Sequence, residues 1–195
     1  MHHHAATMAF GPSVVMWIGM MAAMMAPTVW PWVLAFHRFG ATSGSSRIVA
    51  TTQFSAGYLL AWAIYAIGAA ILQLTVPFAV WATPVVLAGA GLYQFAPLKR
   101  ACLTHCRNPL SYFMTRWTDR PPRGWRVGFE HGLYCVGCCW ALMAITLVVG
   151  MANLWWMAAI GLVTFIEQVA AQGDRLRIPL GIGLLAWSAQ LFASF

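Results

Sequence analysis

Six stretches of this chain, at about 13–36, 50–73, 79–98, 128–149, 151–171 and 178–195, are apolar over lengths that match a hydrocarbon core of roughly 30 Å, which takes about 20 helical residues to cross. With 61% hydrophobic and 8% charged residues in a chain of 195, and a mean hydropathy of +0.72, too little polar surface remains to cover a water-soluble domain. The expected fold is therefore all-α: a polytopic membrane protein, residues 1–195 forming a single domain of about six transmembrane helices in one bundle.

The charge pattern orients that bundle. The formal charge is +7, which in a soluble chain would raise the question of nucleic acid, but the placement of the eleven Lys and Arg residues answers it. Arg38 and Arg47 follow the first stretch, and Arg175 and Arg177 lie between the fifth and sixth. Lys99, Arg100, Arg107, Arg116, Arg120, Arg123 and Arg126 fall in a long basic loop, 99–126. With six spans these connections share one side, which the positive-inside rule makes cytoplasmic, so both termini are expected outside and no nucleic-acid partner is expected. The first stretch has no basic segment before it and is too long for the apolar core of a signal peptide, so it reads as a mature span. The opening MHHH reads as a tag remnant or a native tail and carries no chemistry in this reading.

Local signals refine the picture. Pro27 and Pro31 remove backbone donors inside the first span, and a kink is expected there. Gly57, Ala61, Gly68 and Ala69 give the second span small residues that suit close helix contacts. The third span is expected to end at Pro97, and the polar, Pro-rich and aromatic run SYFMTRWTDRPPRGWR suits a segment lying along the headgroups. Five cysteines cannot all pair, and Cys102 and Cys106 fall on the reducing side, so structural disulfides are not expected.

The chemistry-bearing residues concentrate on the cytoplasmic half. At about 100° per residue, His131, Cys135, Cys138, Cys139 and Leu142 form one stripe of the fourth span, with Glu130 roughly opposite Cys135. Cys135 lies about 13 Å and Cys139 about 20 Å inward from Arg126 at 1.5 Å per residue. Cys102, His105 and Cys106 share a face if the third helix continues past Lys99. Glu167, with Gln168 beside it, is about 12 Å inward from Arg175, where a carboxylate needs a partner, a proton or a metal. Gln94, Arg100 and backbone groups are its expected structural partners.

Thiolates and imidazoles together favour a transition metal such as Cu or Zn. The expected ligand set is Cys135, Cys138, Cys139, His131, Cys102, Cys106, His105, Glu167 and Glu130. Two other readings stand beside it. A cysteine in an apolar helix can be a small packing residue, and Cys135 and Cys138 have the Cys-x-x-Cys spacing of a thiol–disulfide oxidoreductase. On the first span, Met16, Met20 and Met24 share one face and Met21 and Met25 the neighbouring one, so thioethers offer either core packing or a path for Cu(I). No nucleophile–base pair, phosphate loop or paired carboxylates point to hydrolytic chemistry, and no organic cofactor is expected.

The runs MMAAMMAP (20–27), YQFAPLKRACLTHCRNP (93–109), GLYCVGCCWALM (132–143) and MANLWWMAA with FIEQ (151–168) resemble a bacterial family described as predicted metal-binding integral membrane proteins. The resemblance implies a multispan protein of the bacterial inner membrane that binds metal through Cys102, Cys106, Cys135, Cys138 and Cys139. Where that family's pattern reads Glu-Lys, this chain has Glu167 followed by Gln168. The function expected from the sequence is metal handling or delivery to a membrane metalloenzyme. The expected partners are membrane lipid and possible further membrane subunits, an accessory role motivated by tryptophan-rich faces such as Leu154, Trp155 and Trp156.

Overall fold

The computed structural model describes residues 10–39, 44–76, 81–109, 111–112, 124–150, 153–170 and 172–194. The MHHH start, residues 77–80 around the start of the third apolar stretch and most of the basic aromatic run lie outside the described residues.

Among the described residues the chain is all-α, with seven helices and no strand. They are α1 (Phe10–Phe39), α2 (Gly44–Thr75), α3 (Ala82–Tyr93), α4 (Pro97–Arg107), α5 (Gly124–Val149), α6 (Leu154–Val169) and α7 (Gly173–Ala193). Four helices, α1, α2, α5 and α7, are long and apolar enough to cross a membrane, while α3 and α6 are apolar but shorter. Helix α1 runs unbroken through Pro27 and Pro31, with the Thr28 hydroxyl donating to the Met25 carbonyl at 2.8 Å beside the first proline.

The third apolar stretch departs from the sequence reading. It stops at Tyr93, and a second helix starts at Pro97 and continues to Arg107, so residues 99–107 are helical where a loop was expected. Proline explains the break: it has no N–H to give the preceding turn, and it drives the residue before it out of the α region. Ala96 is accordingly extended, with ψ 136°, and Pro97 takes the first helical position. The interruption leaves the Gln94 carbonyl without a helical donor, and Arg177 of α7 supplies one at 3.1 Å. Farther along, the Ser188 hydroxyl donates to the Pro84 carbonyl at 2.7 Å, so α3 and α7 run antiparallel.

Contacts along the other helices give a consistent ordering. Gly57 abuts Trp125, Gly128 abuts Phe54, and the Tyr65 hydroxyl reaches the Trp140 carbonyl at 2.9 Å, so α2 and α5 lie parallel. Helix α1 runs against both, joined to α2 by the Trp17 indole on Gln73 at 2.7 Å and by His37 with Thr51 at 3.1 Å. One contiguous core holds Trp17, Trp62, four methionines of α1 and all five cysteines.

Candidate metal centre

The site grows out of how α5 seats on α2. Gly124, Gly128 and Gly132 repeat every four residues and bring the two backbones together. A Cβ at Gly128 would strike the Phe54 carbonyl oxygen, one at Gly124 that of Ala50, and one at Gly132 would sit 2.7 Å from the Ala61 methyl. The same arc of α5 continues upward as Cys135 and Cys139, since seven residues bring a helix round to nearly the same direction. Sulfur thus replaces hydrogen on a face already committed to close packing, and Cys138, turned by about 60°, looks toward α4 and α6.

The three Sγ atoms of Cys135, Cys138 and Cys139 lie within 4.8 Å of one another and are buried. All five cysteines are free thiols. Cys138 and Cys139 donate to the Cys135 carbonyl at 3.1 and 2.8 Å. From α4, Cys106 brings a fourth sulfur to 4.0 Å from Cys138. From α2, the Tyr58 hydroxyl reaches Cys135 Sγ at 3.3 Å. From α6, the Gln168 amide bridges two thiols: its Nε2 donates to Cys138 at 3.3 Å and its Oε1 accepts from Cys135 at 3.6 Å. Four helices therefore converge on one knot of sulfur.

The remaining residues of the expected ligand set make other contacts. Cys102 packs on the backbone of Gly137, where a Cβ would lie 2.8 Å from its sulfur, and the Tyr93 hydroxyl holds the Gly137 carbonyl. His131 lies in an aromatic stack, its ring centroid 3.9 Å from that of Trp32 and 5.6 Å from that of Tyr58. His105 stacks on Tyr134 at 3.9 Å, and the two imidazoles are 6.0 Å apart. The indole N–H of Trp32 donates to the Cys106 carbonyl at 2.6 Å, tying this layer to the thiols. Glu130 accepts from the Tyr112 hydroxyl at 3.2 Å.

The expected partners of Glu167 need correction. Its Oε2 is 2.7 Å from the Nζ of Lys99, and both side chains are almost wholly buried. By sequence Lys99 belongs to the basic loop expected at 99–126. The break at Pro97 instead starts a new helix that carries Lys99 inward on its first turn. A lysine at a helix N-terminus opposes the helix dipole, and the Glu167 carboxylate is what compensates it. The Oε1 of Glu167 has no hydrogen-bond partner among the described residues.

The sequence reading also passed over Tyr58 as a contact of the thiols and Met143 as a continuation of their stripe. Tyr58 looked like one more apolar residue of the second span, and only the parallel pairing of α2 with α5 puts its hydroxyl on Cys135. Met143 was legible, because it stands four residues beyond Cys139, one turn on, and is fully buried.

The donor set fits a soft cation. Two metal–thiolate bonds of about 2.3 Å allow sulfurs up to about 4.6 Å apart, so the observed cluster needs only small side-chain rotations to close on one ion. A family model described as a copper chaperone, PpoB2, matches residues 14–191. No curated protein and no solved structure matches the chain.

Proposed function

We propose that this chain, which belongs to the PpoB2 copper chaperone family, holds copper as Cu(I) on Cys135, Cys138 and Cys139 within a bacterial inner membrane and hands it to a partner metalloprotein. The observation that carries the reading is the meeting of three buried thiols within 4.8 Å, because soft thiolates select Cu(I) among the available ions. Copper here is cargo. A chaperone must release what it holds, and Cys106, on a different helix and 4.0 Å from Cys138, is placed to take over one metal–sulfur bond while another breaks. Cys102, one turn before it on α4, extends that exchange line. Tyr58 and Gln168 offer hydrogen bonds to the sulfurs and hold the thiolates in register. His131 and His105 form the adjoining imidazole layer, and Glu167 with Lys99 places a compensated charge pair beside Gln168.

In this reading the chain crosses the membrane six times. The four long helices make four crossings, the tandem α3–α4 makes one and α6 makes one. The basic segments face the cytoplasm and both termini face out. The asymmetry of Arg38, Arg47, Arg126, Arg175 and Arg177, all near helix ends that lie together, supports that orientation.

The test is anaerobic titration of detergent-purified protein with Cu(I), read by elemental analysis and by copper-edge X-ray absorption. The wild type is expected to retain copper in an all-sulfur shell, and the Cys135→Ser/Cys138→Ser variant to lose it while keeping its helical circular dichroism. Equal copper in both proteins, or zinc retained in preference to Cu(I), overturns the reading.

A further inference from the structure

Helix α1 shows a division that ordinary packing does not require. Its exposed large apolar residues are Phe10, Val15, Ile18, Trp30 and Leu34, and no methionine is among them. Its inward positions over two turns are Met20, Met21, Met24 and Met25, all buried, with no buried Leu, Ile or Val anywhere on the helix. Aliphatic side chains would fill such a core with better-defined rotamers, and they do so elsewhere, at Leu87, Leu103, Leu142 and Ile145. Helix α5, which shares the core with α1, repeats the pattern. Cys135, Cys139 and Met143 follow one another at four-residue intervals on α5, so sulfur recurs on successive turns, about 6 Å apart along the axis.

The two sets belong to the same contiguous core. The lower end of the α1 ladder and the thiols each have a hydroxyl beside them. Met25 Sδ is 3.8 Å from the Thr28 hydroxyl, and on α2 the Tyr58 hydroxyl reaches Cys135 Sγ at 3.3 Å. Higher on the ladder, Met24 lies against Gly161 of α6, where the absent side chain leaves the thioether room: a Cβ there would be 3.8 Å from its methyl. From this junction the methionines climb toward the Phe10 end of α1, away from Arg38 and the other basic residues.

We infer that Met20, Met21, Met24 and Met25 of α1, with Met143 of α5, form a thioether relay for Cu(I) between the thiol cluster and the end of the bundle away from the basic segments. The inference rests on the thiol cluster being a Cu(I) holder. The chemistry is ligand exchange alone. Each copper–sulfur bond that breaks is replaced by another, and copper stays +1 with no electron transferred. Thioethers are neutral, soft donors that select Cu(I) over divalent ions. No proton moves along the ladder. At the cluster, each thiol that becomes a ligand gives its proton to water, and each that is released takes one back. Thiolates hold the ion more strongly than thioethers, so the ladder serves passage and the cluster serves residence.

The experiment uses the full chain in detergent with selenomethionine in place of methionine and Cu(I) as the probe, in wild type and in Met20→Leu/Met21→Leu/Met24→Leu/Met25→Leu. Met143→Leu serves as a single-site variant should the fourfold change disturb folding. Leucine keeps the volume and removes the chalcogen. With one equivalent bound at the cluster and further Cu(I) added, selenium-edge absorption is expected to show copper neighbours in the wild type and to lose most of them in the fourfold variant. Transfer of cluster copper to a water-soluble Cu(I) chelator is expected to slow at least tenfold in that variant and severalfold in Met143→Leu, while cluster occupancy at equilibrium stays unchanged. Absence of copper–selenium neighbours overturns the relay, because slowing alone is what a packing change would give. Transfer within twofold of wild type overturns it too, even if selenium binds copper. If the wild-type cluster holds no Cu(I), both this inference and the function proposed above fail, and that outcome is seen before any methionine is altered.

Discussion

Gln168 is the residue through which α6 acts on the thiols, since a single amide touches both Cys135 and Cys138. Groups that orient metal ligands typically contribute about 10–100-fold to affinity. Gln168→Leu is therefore expected to weaken Cu(I) binding by about that factor with one ion still bound, as measured by chelator competition; unchanged affinity would show that the amide is a bystander. Lys99 and Glu167 make a second residue-scale case. Removing one member of a buried pair leaves an uncompensated charge and costs about 3–5 kcal/mol, whereas replacing both is often near neutral. Lys99→Met is expected to lower the unfolding midpoint in denaturing detergent, and Lys99→Met/Glu167→Gln to recover most of the loss. Failure of the double variant to recover would mean that the pair holds more than its own charges. At this scale the sequence was partly legible. Glu167 stood out as a carboxylate in an apolar run. Its partner did not, because Lys99 sits among arginines that read as one basic loop, and only the helix restart at Pro97 distinguishes it.

Among the elements, the pairing of α2 with α5 decides where the sulfur goes. The glycine edge of α5 meets backbone atoms of α2, which cannot swing aside as a flexible side chain can. Gly128→Ala is accordingly expected to cost about 1–3 kcal/mol, the usual range for overpacking, and to lower the thermal midpoint of the detergent-solubilised protein; a midpoint equal to wild type would show that the helices part without penalty. Small residues were legible as a packing signal in α2, Gly57 and Ala61 among them, whereas the Gly124, Gly128 and Gly132 series of α5 took on meaning only once its partner was known. That the two helices would meet in parallel was not visible. Parallel neighbours cannot be consecutive in an up-and-down bundle, and nothing local in either segment names a partner so far along the chain. The split of α3 from α4 was half legible: Pro97 announced an end, while the resumption after it depends on Arg177 accepting the role of donor to Gln94.

For the whole molecule, hydropathy and charge placement carried the all-α reading and the long apolar helices. The convergence of α2, α4, α5 and α6 on one cluster is a tertiary fact that spacing within single helices does not encode. The proposed orientation has its own check. A phosphatase that matures only outside the cytoplasm, fused after Phe195, is expected to be active, and activity confined to a cytoplasmic reporter at the same position would invert the topology. The parallel pairing of α2 and α5 also has a bearing on the order in which the site comes into being. Helix α2 leaves the ribosome with its groove for α5 vacant, and the thiols of α5 arrive before the amide that will clasp them. Gln168 follows Cys139 by about 30 residues, which at roughly 5–20 residues per second is roughly 1.5–6 s of synthesis. For that interval the nascent chain has all five cysteines and Tyr58 already synthesised, with Gln168 still to come. If the thiols hold Cu(I) as proposed, newborn copies are then expected to be the most open to the wrong metal or to oxidation, and α6 closes the cluster as much as it extends the bundle.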